Sequence, residues 1–214
     1  MKKLILGFLL VSTLGSLSSC KESSKIPAPS VTSVPLIFPK VSADVEKSYF
    51  NTTRAAASIA NLARLPDPTR PVFEFSFDIQ DQRDVKIQAV EVYKSFQRGI
   101  NIGPRVLQGT YSSFPAKVSI NSQEALTGLQ RLFFATGEAL PSLRNLLGAT
   151  PTSPNEVLTG DLIVFTFEYV LEDGSRVILT PLSDVKLTGG ATAKVISGTQ
   201  INPPYALYAK FTVL

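Results

Sequence analysis

The stretch Leu162-Ile163-Val164-Phe165-Thr166-Phe167-Glu168-Tyr169-Val170-Leu171-Glu172, followed by Asp173-Gly174 and then Ser175-Arg176-Val177-Ile178-Leu179, decides the fold class. Apolar and aromatic residues of high strand propensity stand on both sides of an Asp-Gly pair, which supports the positive φ angles of a tight type I′ turn. A two-residue turn sets Tyr169 opposite Ile178 and Val170 opposite Val177, so both faces are partly apolar. The hairpin is therefore expected inside a β-sandwich, with neither face fully wet.

Working outward, the same two-residue period recurs. Phe73, Phe75, Phe77 and Ile79 alternate with Glu74, Ser76 and Asp78, which is the pattern of a half-buried strand. From Val85 to Phe96 the apolar phase changes between Ala89 and Val90, as a bulge or a change of sheet would require. Shorter strands are expected at 105–111 and 116–120, separated by Ser112, Ser113 and Pro115. Leu207, Ala209, Phe211 and Val213 predict a closing strand. Residues 121–158 do not alternate and carry Gly128, Gly137, Pro141, Gly148, Pro151 and Pro154, so a long irregular crossing with a helical turn near 142–147 is expected there. Between Asn51 and Leu65 an Ile59, Leu62, Ala63 stripe, with Pro66 beyond it, predicts a short helix.

About seven short strands with little helix predict a mainly β chain folded as an antiparallel immunoglobulin-like β-sandwich, with a short N-terminal helix and the irregular long crossing. The disulfide and core Trp of antibody domains cannot form, because the chain has one Cys and no Trp. The expected organisation is a signal peptide over 1–19, a lipidated cysteine with a Ser/Pro-rich tether over 20–35, a helical extension over 36–70 and the β-sandwich over 71–214.

The N-terminal part rests on Lys2 and Lys3, an apolar run from Leu4 to Leu14, and Leu17-Ser18-Ser19-Cys20. A run of about 11 apolar residues is short of the roughly 20 that span a bilayer, but it fits an export signal. The four-residue sequence resembles the lipobox of bacterial lipoproteins. That resemblance implies cleavage between Ser19 and Cys20 and acylation of Cys20. An ordinary secreted protein with an incidental cysteine is the alternative, yet a lone cysteine in an oxidising compartment has no internal disulfide partner. Two or three acyl chains hold a protein at a membrane durably, where one does so only marginally.

Lys21 stands where, in lipoproteins, an aspartate would retain the protein at the inner membrane. The resemblance therefore implies the bacterial outer membrane, facing periplasm or cell surface, and Lys21-Glu22 is similar to a fragment of a surface-export tag. Residues 21–35 lack an apolar period and, fully extended, would reach on the order of 45 Å. The Phe-rich strands and Leu-Thr-Gly-Asp-Leu-Ile-Val-Phe-Thr-Phe over 158–167 are also similar in layout to small surface lipoproteins that accompany outer-membrane nutrient-uptake systems.

Composition narrows the chemistry. With no His and one Cys, Ser-His-Asp and Cys-His constellations and His-ligated or thiolate metal sites cannot be built within this chain. Removing Lys2 and Lys3 with a leader lowers the basic count from 21 to 19 against 17 acidic residues, and no basic cluster or RNA-binding motif is present, so nucleic acid is not an expected partner. Gly189-Gly190 and Gly99 to Gly103 lack the context of a phosphate loop.

Three candidate sets remain. Glu168, Glu172, Asp173 and Asp184 are the carboxylates near one hairpin and are the set to test for paired-acid glycoside hydrolysis. Asp78, Asp81 and Asp84 lack the alternate spacing and Gly of a calcium loop, so a polar turn is expected. Tyr93, Phe96, Tyr111, Phe114, Tyr205 and Tyr208 are candidates for a sugar-binding platform. The expectation is a non-enzymatic, lipid-anchored binding or scaffold module without metal or cofactor. It would contact the membrane through Cys20, with an outer-membrane protein complex or an extracellular glycan as partner. The alternative is a glycan-binding or glycan-processing accessory of a nutrient-uptake system.

Overall fold

A computed structural model describes residues 34–51, 70–80, 85–133, 138–139, 157, 160–187, 190–197 and 206–212. The chain is mainly β and its sheets are almost wholly antiparallel. A three-stranded sheet runs in the order β1 (Leu36–Val41), β3 (Val72–Gln80), β7 (Ala116–Asn121). A larger sheet runs β2 (Phe50–Asn51), β14 (Ala206–Thr212), β10 (Leu162–Leu171), β4 (Ile87–Arg98), β5 (Asn101–Ile102). β6 (Val106–Tyr111) pairs with β4, and β11 (Arg176–Ile178) pairs with β10. β12 (Leu182–Lys186) and β13 (Thr192–Ile196) form a separate hairpin, and β8 (Leu132–Phe133) pairs with β9 (Glu138–Ala139). Asn121 caps the short helix α1 (Ser122–Leu126), its side-chain oxygen accepting from the Gln123 and Glu124 N–H groups.

Alternation explains how the two main sheets share a core. Phe73, Phe75 and Phe77 point from β3 toward Phe165 and Phe167 of β10, and all five are essentially inaccessible to solvent. Phe165 lies 5.7 Å from Phe73, nearly parallel to it, and 5.1 Å from Phe75; Phe77 reaches Phe167 at 5.5 Å. At the floor Phe50 stacks on Phe211 at 4.9 Å. Offset and tilted rings at these separations are the favoured aromatic arrangements.

Leu36–Val41 is hydrogen-bonded to β3, with Leu36 opposite Gln80 and Val41 opposite Phe75. Over Leu36–Val41 a strand therefore stands where a helical extension of 36–70 was expected, because Ile37 alternates inward with Leu36 and Phe38 outward; residues 52–69 lie outside the described residues. Pro35 is tied to the same core, its carbonyl accepting from the buried Tyr169 hydroxyl at 2.8 Å. Of the helix expected over 51–65, Asn51 lies in β2 and residues 52–65 lie outside the described residues, as do the turn near 142–147 and residues 1–33.

The phase change in 85–96 is a bulge: β4 stays in one sheet, but Val170 faces Ala89 while Leu171 faces Ile87. The Asp-Gly hairpin differs from expectation by one residue. Glu168 faces Ile178, Tyr169 faces Val177 and Val170 faces Arg176. The loop has three residues: Leu171 N–H donates to the Ser175 carbonyl, Gly174 has φ +80°, and Asp173 Oδ1 accepts from both the N–H and the hydroxyl of Ser175. That is a type I turn closed by a left-handed Gly in place of a two-residue type I′ turn. A one-residue slip exchanges faces, and it moves Arg176 and Ile178 outward.

Gly103 is required by a close approach, since a Cβ there would lie 2.0 Å from the Gln130 carbonyl oxygen.

Candidate functional site

The outer face of the larger sheet, turned away from the phenylalanine core, carries Glu91, Tyr93, Ser95 and Gln97 from β4 and Leu162, Val164, Thr166 and Glu168 from β10. Glu91 stands directly opposite Glu168. Two adjacent carboxylates disfavour each other's ionisation unless cations lie between them. Here two arginines do so.

Arg176 donates to both oxygens of Glu91, from Nη2 to Oε1 at 2.8 Å and from Nη1 to Oε2, and also from Nη1 to Glu168 Oε2 at 3.2 Å. Arg105 Nη2 donates to Glu168 Oε1 at 2.5 Å. Its guanidinium carbon sits 4.1 Å from the centre of the Tyr93 ring, and the Tyr93 hydroxyl donates to Glu91 Oε2 at 2.7 Å. The five side chains thus close a ring of contacts whose formal charges cancel. Glu168 is 2% exposed, so its charge is tolerable only because it is paired.

The Arg176 hydrogen bonds hold the Glu91 carboxyl below its ordinary range against the opposing effect of burial, with the Tyr93 hydroxyl adding to the effect. Arg176 is pushed up by the same hydrogen bond, while burial and the bond to Glu91 push Tyr93 up. Glycoside hydrolysis needs one protonated carboxylic acid and one carboxylate flanking the bond. Glu91 is ionised at neutral pH and both acids are engaged by guanidinium groups, so this pair is suited to locking strands together.

The other carboxylates expected beside Glu168 do not join it. Glu172 and Asp173 sit in the exposed turn, and Asp184 pairs with Lys194 across β12 and β13 at 2.8 Å. Asp78 turns back to its own strand, its Oδ1 accepting from Ile79 N–H at 2.8 Å, whereas Asp81 and Asp84 lie outside the described residues. Among the described residues no group of three His, Cys, Asp or Glu side chains is placed to hold a metal ion. The aromatic candidates are also dispersed. Phe96 is in the core, Tyr111 and Phe114 pack on Phe77, Tyr93 lies under Arg105, and Tyr208 packs with Val164 and Ile196 beneath the β12–β13 hairpin. Tyr205 and the cleavage residues Ser19 and Cys20 lie outside the described residues.

Glu91, Arg105 and Arg176 went unremarked in the sequence because they are far apart along the chain. Glu91 stands between Val90 and Val92 and Arg105 between Pro104 and Val106, so a charge flanked on both sides by apolar residues marks these two, whereas Arg176 follows Ser175 and carries no such mark. Lys94, between Tyr93 and Ser95, is a further buried charge. It is 4% exposed, faces inward, and its ammonium donates to the Glu124 carbonyl at the end of α1 at 2.5 Å. Burial lowers its pKa from 10.5 to about 8. Between about pH 8 and 10.5 the unfolded chain therefore holds a proton that the folded chain has released, and stability rises with pH across that window by up to roughly 3 kcal/mol. Lys94→Met is expected to abolish that rise and to be more stable than the parent at pH 7, as read by urea denaturation at both pH values.

A shallow cavity of about 250 Å³ lies on the outer face of the smaller sheet, lined by residues including Lys40, Ser42, Glu74, Ser76 and Lys117. Glu74 is held below the usual carboxylate range by Lys117 and Lys47, at 3.1 and 3.3 Å. No protein-family model matches the chain, and no curated protein matches it in sequence.

Proposed function

We propose that this is a lipid-anchored envelope protein of the bacterial outer membrane, whose immunoglobulin-like β-sandwich serves as a non-enzymatic binding or scaffold module. The observation that carries the reading is Leu17-Ser18-Ser19-Cys20 at the end of a basic and apolar leader, with Cys20 the sole cysteine of the chain. Among the described residues no helix is long and apolar enough to cross a membrane, which fits attachment through lipid. The engagement of Glu91 and Glu168 by Arg176 and Arg105 also favours a binding role over acid–base chemistry. Cells fed radioactive palmitate are expected to label the parent chain and to hold it in the membrane fraction, whereas Cys20→Ala loses the label and retention together. Retention of the unlabelled variant at the parent level would contradict the reading.

A further inference from the structure

Three of the seven exposed large apolar side chains among the described residues cluster at the start of the domain: Val34, Leu36 and Phe38 are 38, 56 and 46% exposed, while Val45, Ile100, Leu107 and Ile178 stand apart from one another along the chain. Leu36 and Phe38 share the outer face of β1, an edge strand. Lys40 continues that face, and the strand register aligns it with Ser76 of β3 and Lys117 of β7, across the cavity described above. An apolar strip that ends at Lys40, with Glu74 beyond it balanced by Lys117 and Lys47, matches the layering of a phospholipid surface, where acyl chains begin just beneath phosphates.

We propose that this face of the smaller sheet rests on the phospholipid surface, with Leu36 and Phe38 entering the headgroup boundary and Lys40 meeting lipid phosphates. The inference rests on the lipid-anchor reading. Its occupant follows from where the tether ends. The carbonyl of Pro35 is fixed by the Tyr169 hydroxyl, so the chain enters the domain at the head of this strip. The segment between Cys20 and Val34, even fully extended, spans no more than about 45 Å. A face held that close to lipid acts at high effective concentration, so a small apolar patch is enough to bias the domain toward contact. Pro39 removes a backbone donor from β1, which disfavours strand addition by another chain at this edge.

Because acylation consumes the only native thiol, a cysteine introduced at one site can be labelled alone in the full lipidated protein. Leu36→Cys and, for comparison, Leu107→Cys on the larger sheet would each carry an environment-sensitive fluorophore in vesicles of phosphatidylethanolamine and phosphatidylglycerol with spin-labelled acyl chains. The label at 36 is expected to be quenched at least threefold more than the label at 107. Equal quenching at the two sites, with palmitate incorporated, overturns the docking proposal and leaves the anchor standing. If palmitate is absent, the anchor reading fails, and docking is then judged by sedimentation of the unlipidated chain with the same vesicles. Binding weakened at least fivefold by Leu36→Ser with Phe38→Ser supports docking, and unchanged or absent binding overturns it.

Discussion

Phe165→Ala is expected to destabilise the domain by about 3–5 kcal/mol, the range for removing a fully buried aromatic side chain and leaving the space unfilled. Phe165 is inaccessible to solvent and is the ring through which β10 meets both Phe73 and Phe75 of the opposite sheet. Its loss removes area burial and two ring contacts that join separate sheets, so a local shift of one strand cannot compensate. With a urea slope of roughly 2 kcal/mol per molar, the midpoint should fall by about 1.5–2.5 M. Phe38→Ala, at an exposed position of β1, is expected to change stability by less than about 0.5 kcal/mol, a midpoint shift under about 0.25 M. A loss below about 1 kcal/mol for Phe165→Ala would mean that the two sheets do not share this core.

Glu168→Ala is expected to cost about 3–5 kcal/mol, because it leaves Arg105 desolvated with only the Tyr93 ring beneath it. The carboxylate contributes little net energy to a neutral assembly, but an unpaired guanidinium on a side chain only 11% exposed is costly. The double variant Glu168→Leu with Arg105→Leu removes both charges and should return to within about 1 kcal/mol of the parent. Chemical denaturation of Glu168→Leu, Arg105→Leu and the double variant completes the cycle. If Glu168→Ala alone is neutral, the charge ring does not hold β10 to its neighbours.

The pH dependence of the ring has a defined sign. Glu91 has a folded pKa below its unfolded value of 4.5, so the stability it contributes is complete above that value and is lost as pH falls through the folded pKa. Its partner Arg176 is 47% exposed, and solvent screening reduces that contribution.

The strands that form the core were legible in the sequence because burying one face of a sheet imposes a period of two, which Phe73 to Ile79 and Leu207 to Phe211 display. The Asp173-Gly174 turn was also legible, but its length was not. A left-handed Gly serves a two-residue turn and the last position of a three-residue turn equally well. That single-residue difference decides whether Arg176 or Val177 joins the outer face, so the guanidinium that bridges Glu91 and Glu168 could not be placed from the sequence.

β1 was missed because Pro35 and Pro39 bracket its apolar residues and continue the proline-rich tether in composition. β12 and β13 were missed because Ser183, Asp184 and Lys194 dilute the alternation of a hairpin that is half exposed. The charge ring was invisible for a different reason: its members are joined by sheet pairing between residues as distant as Glu91 and Arg176, and spacing along the chain carries no record of that.

Mass spectrometry of the N-terminal peptide of the mature protein, purified from membranes, bears most directly on the claim that a lipid on Cys20 anchors this β domain. The expected peptide begins at Cys20 and carries the added mass of a diacylglyceryl group. A peptide with the Ser19–Cys20 bond intact, or one that begins at Cys20 with an unmodified thiol, would contradict it.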